Sequence, residues 1–162
     1  MNDYIIRPII PSDNPKIAKI IRDNLEQFHL DIPGTVYFDE GLDSLSDYYL
    51  AVPERRTYFI ITDANGSVTG GVGIAEFEGF DSCAELQKLY LADEAKGKGL
   101  SKKLMQTAED FARKAGYKQL YLETHTNLDT AIRLYEKLGF IGIDRPTFVL
   151  HSTMNKFYLK TL

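Results

Sequence analysis

The chain has 162 residues, a length that favours one domain and can bury a core without disulfide or metal support. Hydrophobic residues make up 44% and charged residues 26%, which excludes a disordered or collagen-like chain. With 19 basic against 23 acidic residues the formal charge is −4, so the chain as a whole attracts neither nucleic acid nor an anionic membrane.

Met1, Asn2 and Asp3 begin no basic-then-apolar leader, and the longest apolar runs, such as Tyr58 to Ile61, are far too short to span a bilayer. The expectation is one cytoplasmic domain over residues 1–162. Tyr4 to Ile9 reads as a short strand. Asn14-Pro15 signals a helix start, with Ile17, Ile20, Ile21, Leu25 and Phe28 at helical spacing. Asp31 to Arg56 is irregular, with a short helix over Ser44 to Leu50. Thr57 to Thr62 and Val68 to Phe77 are strands around the hairpin turn Asn65-Gly66. Ala84 to Leu91 is a further strand, begun by the single cysteine, Cys83, which reads as a small buried hydrophobe and excludes an internal disulfide.

Leu100, Leu104, Met105, Ala108, Phe111, Ala112 and Ala115 then form one apolar helix stripe, capped by Gly116. Lys118 to Glu123 is a strand, and Ala131, Ile132, Tyr135 and Leu138 make a second stripe that Gly139 closes. Phe140 to Ile143 and Lys156 to Leu159 are closing strands. Hairpins early and strand-helix-strand units late predict an α+β protein with a mixed sheet, not a doubly wound parallel one.

The segment Lys96-Gly97-Lys98-Gly99-Leu100-Ser101 joins a strand to a strongly amphipathic helix. Glycines let backbone approach a ligand, and a helix start offers free N–H groups, so the natural guest is a phosphate or pyrophosphate; an ordinary glycine turn is the alternative. The nucleoside-triphosphate loop spacing is absent, and the dinucleotide fingerprint would need glycine where Lys102 stands. The segment resembles the coenzyme A pyrophosphate loop of the GNAT superfamily of N-acetyltransferases: Gln or Arg, two free positions, Gly, one free position, then Gly or Ala. Lys96 holds the first position, Gly99 the glycine and Ser101 the last, so two defined positions depart from the strict pattern. Lys keeps the charge of Arg without its fork, and Ser is still small. A second signature, A-x-x-L-Y-x-K-x-G-F, is matched by Ala131 to Phe140.

The resemblance implies a GNAT fold: a central, mostly antiparallel mixed sheet, splayed parallel strands 4 and 5, and helices on both faces. It implies acetyl-coenzyme A as cosubstrate, no metal, and transfer to a primary amine by direct attack in a ternary complex. Backbone groups of Leu89 and Leu91 would meet the pantetheine and thioester. Lys96, Gly97, Lys98, Gly99, Leu100 and Ser101 would form the pyrophosphate cradle, and Asn127, four residues before Ala131, would be a further cofactor contact. Tyr135 would protonate the leaving thiolate, unless it is only a core aromatic on its stripe. Glu85, eleven residues before Lys96, would take the proton from the amine, unless it is a strand carboxylate pairing Lys88. Glu123 is a weaker rival. His29, His125 and His151 show no metal-ligand spacing; His29 and His151 lie far from the motifs in sequence, while His125 follows the second cleft strand and could line the site. The acceptor, small molecule or protein, would meet Asp31 to Arg56, whose aromatics and carboxylates suit a cation, unless they are only a solvated acidic loop with a few anchoring rings. No nucleic acid or membrane partner is expected, and a homodimer stays open. A non-catalytic acyl-coenzyme A binding or sensing domain is the competing function.

Overall fold

In the computed structural model, which describes residues 3–162, the elements follow the predicted order. They are β1 (Ile5–Pro8), α1 (Asn14–Gln27), α2 (Leu45–Leu50), β2 (Thr57–Thr62), β3 (Val68–Phe77), β4 (Cys83–Leu91), α3 (Leu100–Lys114), β5 (Gln119–Thr124), α4 (Asp129–Lys137), β6 (Ile141–Ile143) and β7 (Lys156–Thr161). They build one sheet in the order β1-β2-β3-β4-β5-β7-β6. Every pairing is antiparallel except β4 with β5. Among the described residues, no helix is long and apolar enough to cross a membrane.

The helices form where their apolar stripes find a sheet face. One core layer holds Leu104, Met105 and Ala108 of α3 and Tyr135 of α4 against Ile74, Ala84 and Leu86 of the sheet. On the other face Ile17, Ile21 and Leu25 of α1 pack with Tyr49, Tyr58 and Ile60. Leu104 is fully buried. Its replacement by alanine is expected to lower stability by ~2–5 kcal/mol, read as an earlier denaturant midpoint at unchanged slope.

Two features make a gap in the middle of the sheet. The parallel pair β4–β5 has only three partners, Cys83↔Gln119, Ala84↔Leu120 and Glu85↔Tyr121, after which the strands part. Beyond that point β4 carries a bulge: the register with β3 shifts between Gly71↔Tyr90 and Gly73↔Gln87, and Lys88 takes φ 51°. One extra residue inverts the alternation of side chains. Ala84 and Leu86 lie in the α3 layer before the bulge, Leu89 and Leu91 after it, while Tyr90 joins the α1 layer. Glu85 and Gln87 therefore face the α1 and α2 side.

The glycine ends of α3 and α4 also have a structural reason. Gly139, at φ 95°, lets Phe140 N–H return to the Tyr135 carbonyl at 3.0 Å, a left-handed helix stop. The Phe140 ring then rests against the Tyr135 ring, with centroids 6.0 Å apart. The second motif thus fixes one tyrosine at the rim of the gap.

Candidate functional site

The loop before α3 presents backbone, not side chains. Gly97 and Gly99 both sit at φ 75°, and a Cβ added to either would meet no atom of the described residues within 4 Å. Gly99 is the N-cap of α3, and no side chain caps the helix. The amide of Lys103 reaches the Gly99 carbonyl at 3.4 Å, leaving the N–H groups of Leu100, Ser101 and Lys102 without intrahelical acceptors. Such a cradle of unpartnered amides in open space suits a pyrophosphate. The lysines are fastened elsewhere. Lys96 Nζ bonds Asp93 at 2.9 Å and Gln27 at 3.2 Å, tying the loop to α1, and Lys98 Nζ turns to the Tyr4 hydroxyl at 3.1 Å.

From this loop a cavity of about 800 Å³ runs through the gap between β4 and β5. Glu85, Leu89, Leu91, Asn127 and Tyr135 line it, as do Lys96, Gly97, Gly99, Leu100 and Ser101. Lys98 does not, because its side chain leaves the loop on the far side. Two backbone carbonyls of β4 are already engaged. Asn24 Nδ2 donates to Leu91 O at 2.8 Å, and the Tyr58 hydroxyl to Lys88 O at 2.8 Å. The Asn127 side-chain amide donates to Phe28 O at 3.0 Å, bridging the gap to the end of α1.

Glu85 and Tyr135 reach this cavity from opposite faces of the sheet. Burial pushes Glu85 up to about 7, and the nearby Glu123 charge adds to the effect. Its partner is Gln87, whose Nε2 donates at 2.8 Å and whose Oε1 accepts from the Tyr49 hydroxyl at 2.6 Å. Glu85 therefore does not pair Lys88. The Tyr135 hydroxyl is held well above the ordinary phenol range by burial, with Tyr90 contributing, so it keeps its proton. Cys83 is pushed up to about 12 by burial and is an inert thiol.

His151, remote from both motifs in sequence, is brought to the cavity by the segment between β6 and β7. Its distance along the chain gave no sign of this position. Its Nδ1 is 3.2 Å from Glu123 Oε1 and its Nε2 is 2.9 Å from Asp39 Oδ1. Carboxylate oxygens only accept, so both ring nitrogens donate and the ring is an imidazolium. Burial alone would lower its pKa, but the hydrogen bonds to Asp39 and Glu123 outweigh it and lift the ring to about 9. Lys88 Nζ approaches Asp39 at 3.6 Å, and the Tyr121 hydroxyl donates to Glu123 at 2.9 Å. No local sequence pattern announced this ladder, since its members come from four separate segments. His125 instead accepts the Asn127 N–H at 3.1 Å.

Of the aromatics in the Asp31 to Arg56 segment, Tyr48 stacks under the Arg56 guanidinium and Tyr49 is fully buried. Tyr37 donates to Glu26 at 2.7 Å.

The family model described as Acetyltransferase (GNAT) family matches residues 19–140. An uncharacterized N-acetyltransferase of Escherichia coli, YjgM, is 40% identical over 142 residues, 86% of this chain and 83% of that protein. Among solved structures, a GNAT-family acetyltransferase from Staphylococcus aureus Mu50 superposes with a TM-score of 0.85 at 17% identity, covering 98% of this chain and 99% of that one. PaiA N-acetyltransferase from Thermoplasma acidophilum, solved in complex with coenzyme A, gives a TM-score of 0.78 at 19% identity and covers 99% of each chain.

Proposed function

The chain belongs to the acetyltransferase (GNAT) family and is an acyltransferase, and from that premise we propose that it moves an acetyl group from acetyl-coenzyme A directly to a primary amine held beside it. One observation carries this reading: a carboxyl group poised near neutrality and a tyrosine that keeps its proton share a cavity that ends in an open amide cradle. A domain that merely senses an acyl thioester has no use for a carboxyl so placed. In this reading residues 1–162 act as one catalytic domain.

Acetyl-coenzyme A is a substrate here and supplies an activated acyl group with a good leaving thiol. The amides from Gly97 to Lys102 hold its pyrophosphate, with Gly99 allowing the close approach. Leu89, which falls outside the paired β3–β4 register, and Leu91 line the path of the pantetheine arm. We assign to the Leu89 N–H the thioester oxygen, where negative charge grows during attack. Asn127 contacts the same arm through the amide oxygen that its bond to Phe28 leaves free. Glu85, ionised above about 7, takes a proton from the acceptor's ammonium group, and Tyr135 donates toward the departing sulfur. Bound coenzyme A in the Thermoplasma protein, which shares the fold, supports this choice of cosubstrate.

Calorimetric titration with acetyl-coenzyme A tests the cradle. Binding is expected for the wild type, and its absence would remove the basis of the assignment. Valine at position 99 cannot hold φ 75° without strain, so Gly99→Val shifts the backbone and displaces the amides that follow. Each hydrogen bond to a charged group is worth about 1.5–3 kcal/mol, so affinity should fall roughly 10- to 100-fold. Unaltered affinity in a variant that melts normally would place the pyrophosphate elsewhere.

A further inference from the structure

We infer that the acceptor is a small cationic amine and not a polypeptide, because the acceptor end of the cavity is roofed by a seam between two loops on opposite flanks of the gap. This rests on the proposed transfer reaction and names its substrate class. On one flank runs the stretch that follows α1, and on the other the connection from β6 to β7. Thr153 N–H donates to Gly34 O at 3.0 Å, and Thr153 Oγ1 donates to Pro33 O at 2.7 Å. A few residues on, the His151 imidazolium bonds Asp39 at 2.9 Å while its other nitrogen bonds Glu123 of β5 at 3.2 Å.

The seam is close-packed as well as bonded. Gly34 lies at φ 80°, and a Cβ there would stand 2.5 Å from Thr153 Oγ1 and 2.7 Å from Ser152 Oγ. Thr35 and Val36 on one side, and His151 and Met154 on the other, line the same cavity as Glu85. The seam therefore passes over the reacting end and not beside it. An extended peptide laid across the gap would have to break it, and losing one bond to a charged group alone weakens binding by at least ~10-fold. A compact molecule need not break it. The cavity of about 800 Å³ has a size that suits small ligands, and the acyl donor takes part of it.

Charge at this end favours a cation. Asp39 has His151 and Lys88 as cationic partners, and Glu123 has His151. Glu85 bonds the neutral Gln87 and pairs no cation among the described residues, so its carboxylate stands uncompensated once ionised. A single ammonium group entering beside Glu85 balances it. Because His151 ties Asp39 and Glu123 together, it acts here as a positioning residue.

The test compares coenzyme A release from acetyl-coenzyme A with two acceptor panels. One holds diamines, amino sugars and amino acids, the other short peptides with free N-termini or internal lysines. The wild type should favour its best small amine over every peptide by at least ~10-fold in kcat/KM. Gly34→Val and His151→Ala, which open the seam from either side, should gain activity toward peptides. Acetyl-coenzyme A affinity, titrated on the same samples, should hold in both variants and reports separately on the donor site on which the proposed reaction rests. Peptides acetylated by the wild type as fast as any small amine would overturn the inference. So would opened variants that bind acetyl-coenzyme A normally and gain nothing on peptides.

Discussion

Glu85→Gln is expected to cut turnover at neutral pH by ~10²–10⁴-fold, the usual scale for losing a positioned proton acceptor. Glutamine keeps the volume, and its carbonyl oxygen can still accept from Gln87, so packing is little disturbed. The pH profile identifies the cause. Wild-type activity should climb through about 7 as Glu85 ionises. The variant should climb only as the acceptor loses its own proton, near ~10.4 for a lysine-like amine, so the gap narrows as pH rises. An unchanged profile would hand the proton transfer to water.

Stability gives an independent check with an opposite sign. Burial raises Glu85 from 4.5 to about 7, so the folded state binds this proton more tightly than the unfolded state. The wild type therefore loses stability from this group as pH rises between those values. Glutamine removes that loss. Glu85→Gln should melt higher than the wild type at pH 8, with the difference gone below 4.5. A carboxylate kept for an ion pair would show the reverse.

Tyr135→Phe is the second large effect. The ring stays, with its contacts to Phe140 and Tyr158 at centroid distances of 6.0 and 6.4 Å, and only the hydroxyl is lost. Turnover should fall toward the lower end of the ~10²–10⁴-fold range for a general acid. Two facts set that end. Burial holds the phenol's proton more tightly than usual, and a thiol with a pKa near ~8.5 leaves without much help. Affinity for acetyl-coenzyme A should change little, since one hydrogen bond is worth about 0.5–1.5 kcal/mol. Full turnover in a variant whose chemical step limits the rate would reduce Tyr135 to packing.

The order of elements was legible because each helix stripe and strand alternation is locally consistent with the face it buries. Leu104, Met105 and Ala108 on α3 are an example, as are Ile17, Ile20 and Ile21 on α1. The amide cradle was legible too, since Gly97 and Gly99 are needed at positive φ. The bulge at Lys88 was not, for a lysine at φ 51° carries no sequence mark. Yet that residue re-aims everything after it on β4. Simple alternation from Glu85 would set Leu89 and Leu91 on its own face, whereas the bulge moves them to the other. His151 was illegible for a different reason. Its partners Asp39 and Glu123 lie 112 and 28 residues away, and only the pairing of β5 with β7 and the seam at Gly34 bring them together. The side chain of Lys98 is held at Tyr4, so in the cradle this residue has only its backbone to offer.

Initial rates of coenzyme A release, measured over a grid of acetyl-coenzyme A and amine concentrations, test direct transfer most plainly. Both substrates held in one cavity predict lines that intersect in double-reciprocal form, and protein that carries no acetyl group after incubation with acetyl-coenzyme A alone. Parallel lines, together with an acetylated protein recovered in the absence of amine, would contradict the account.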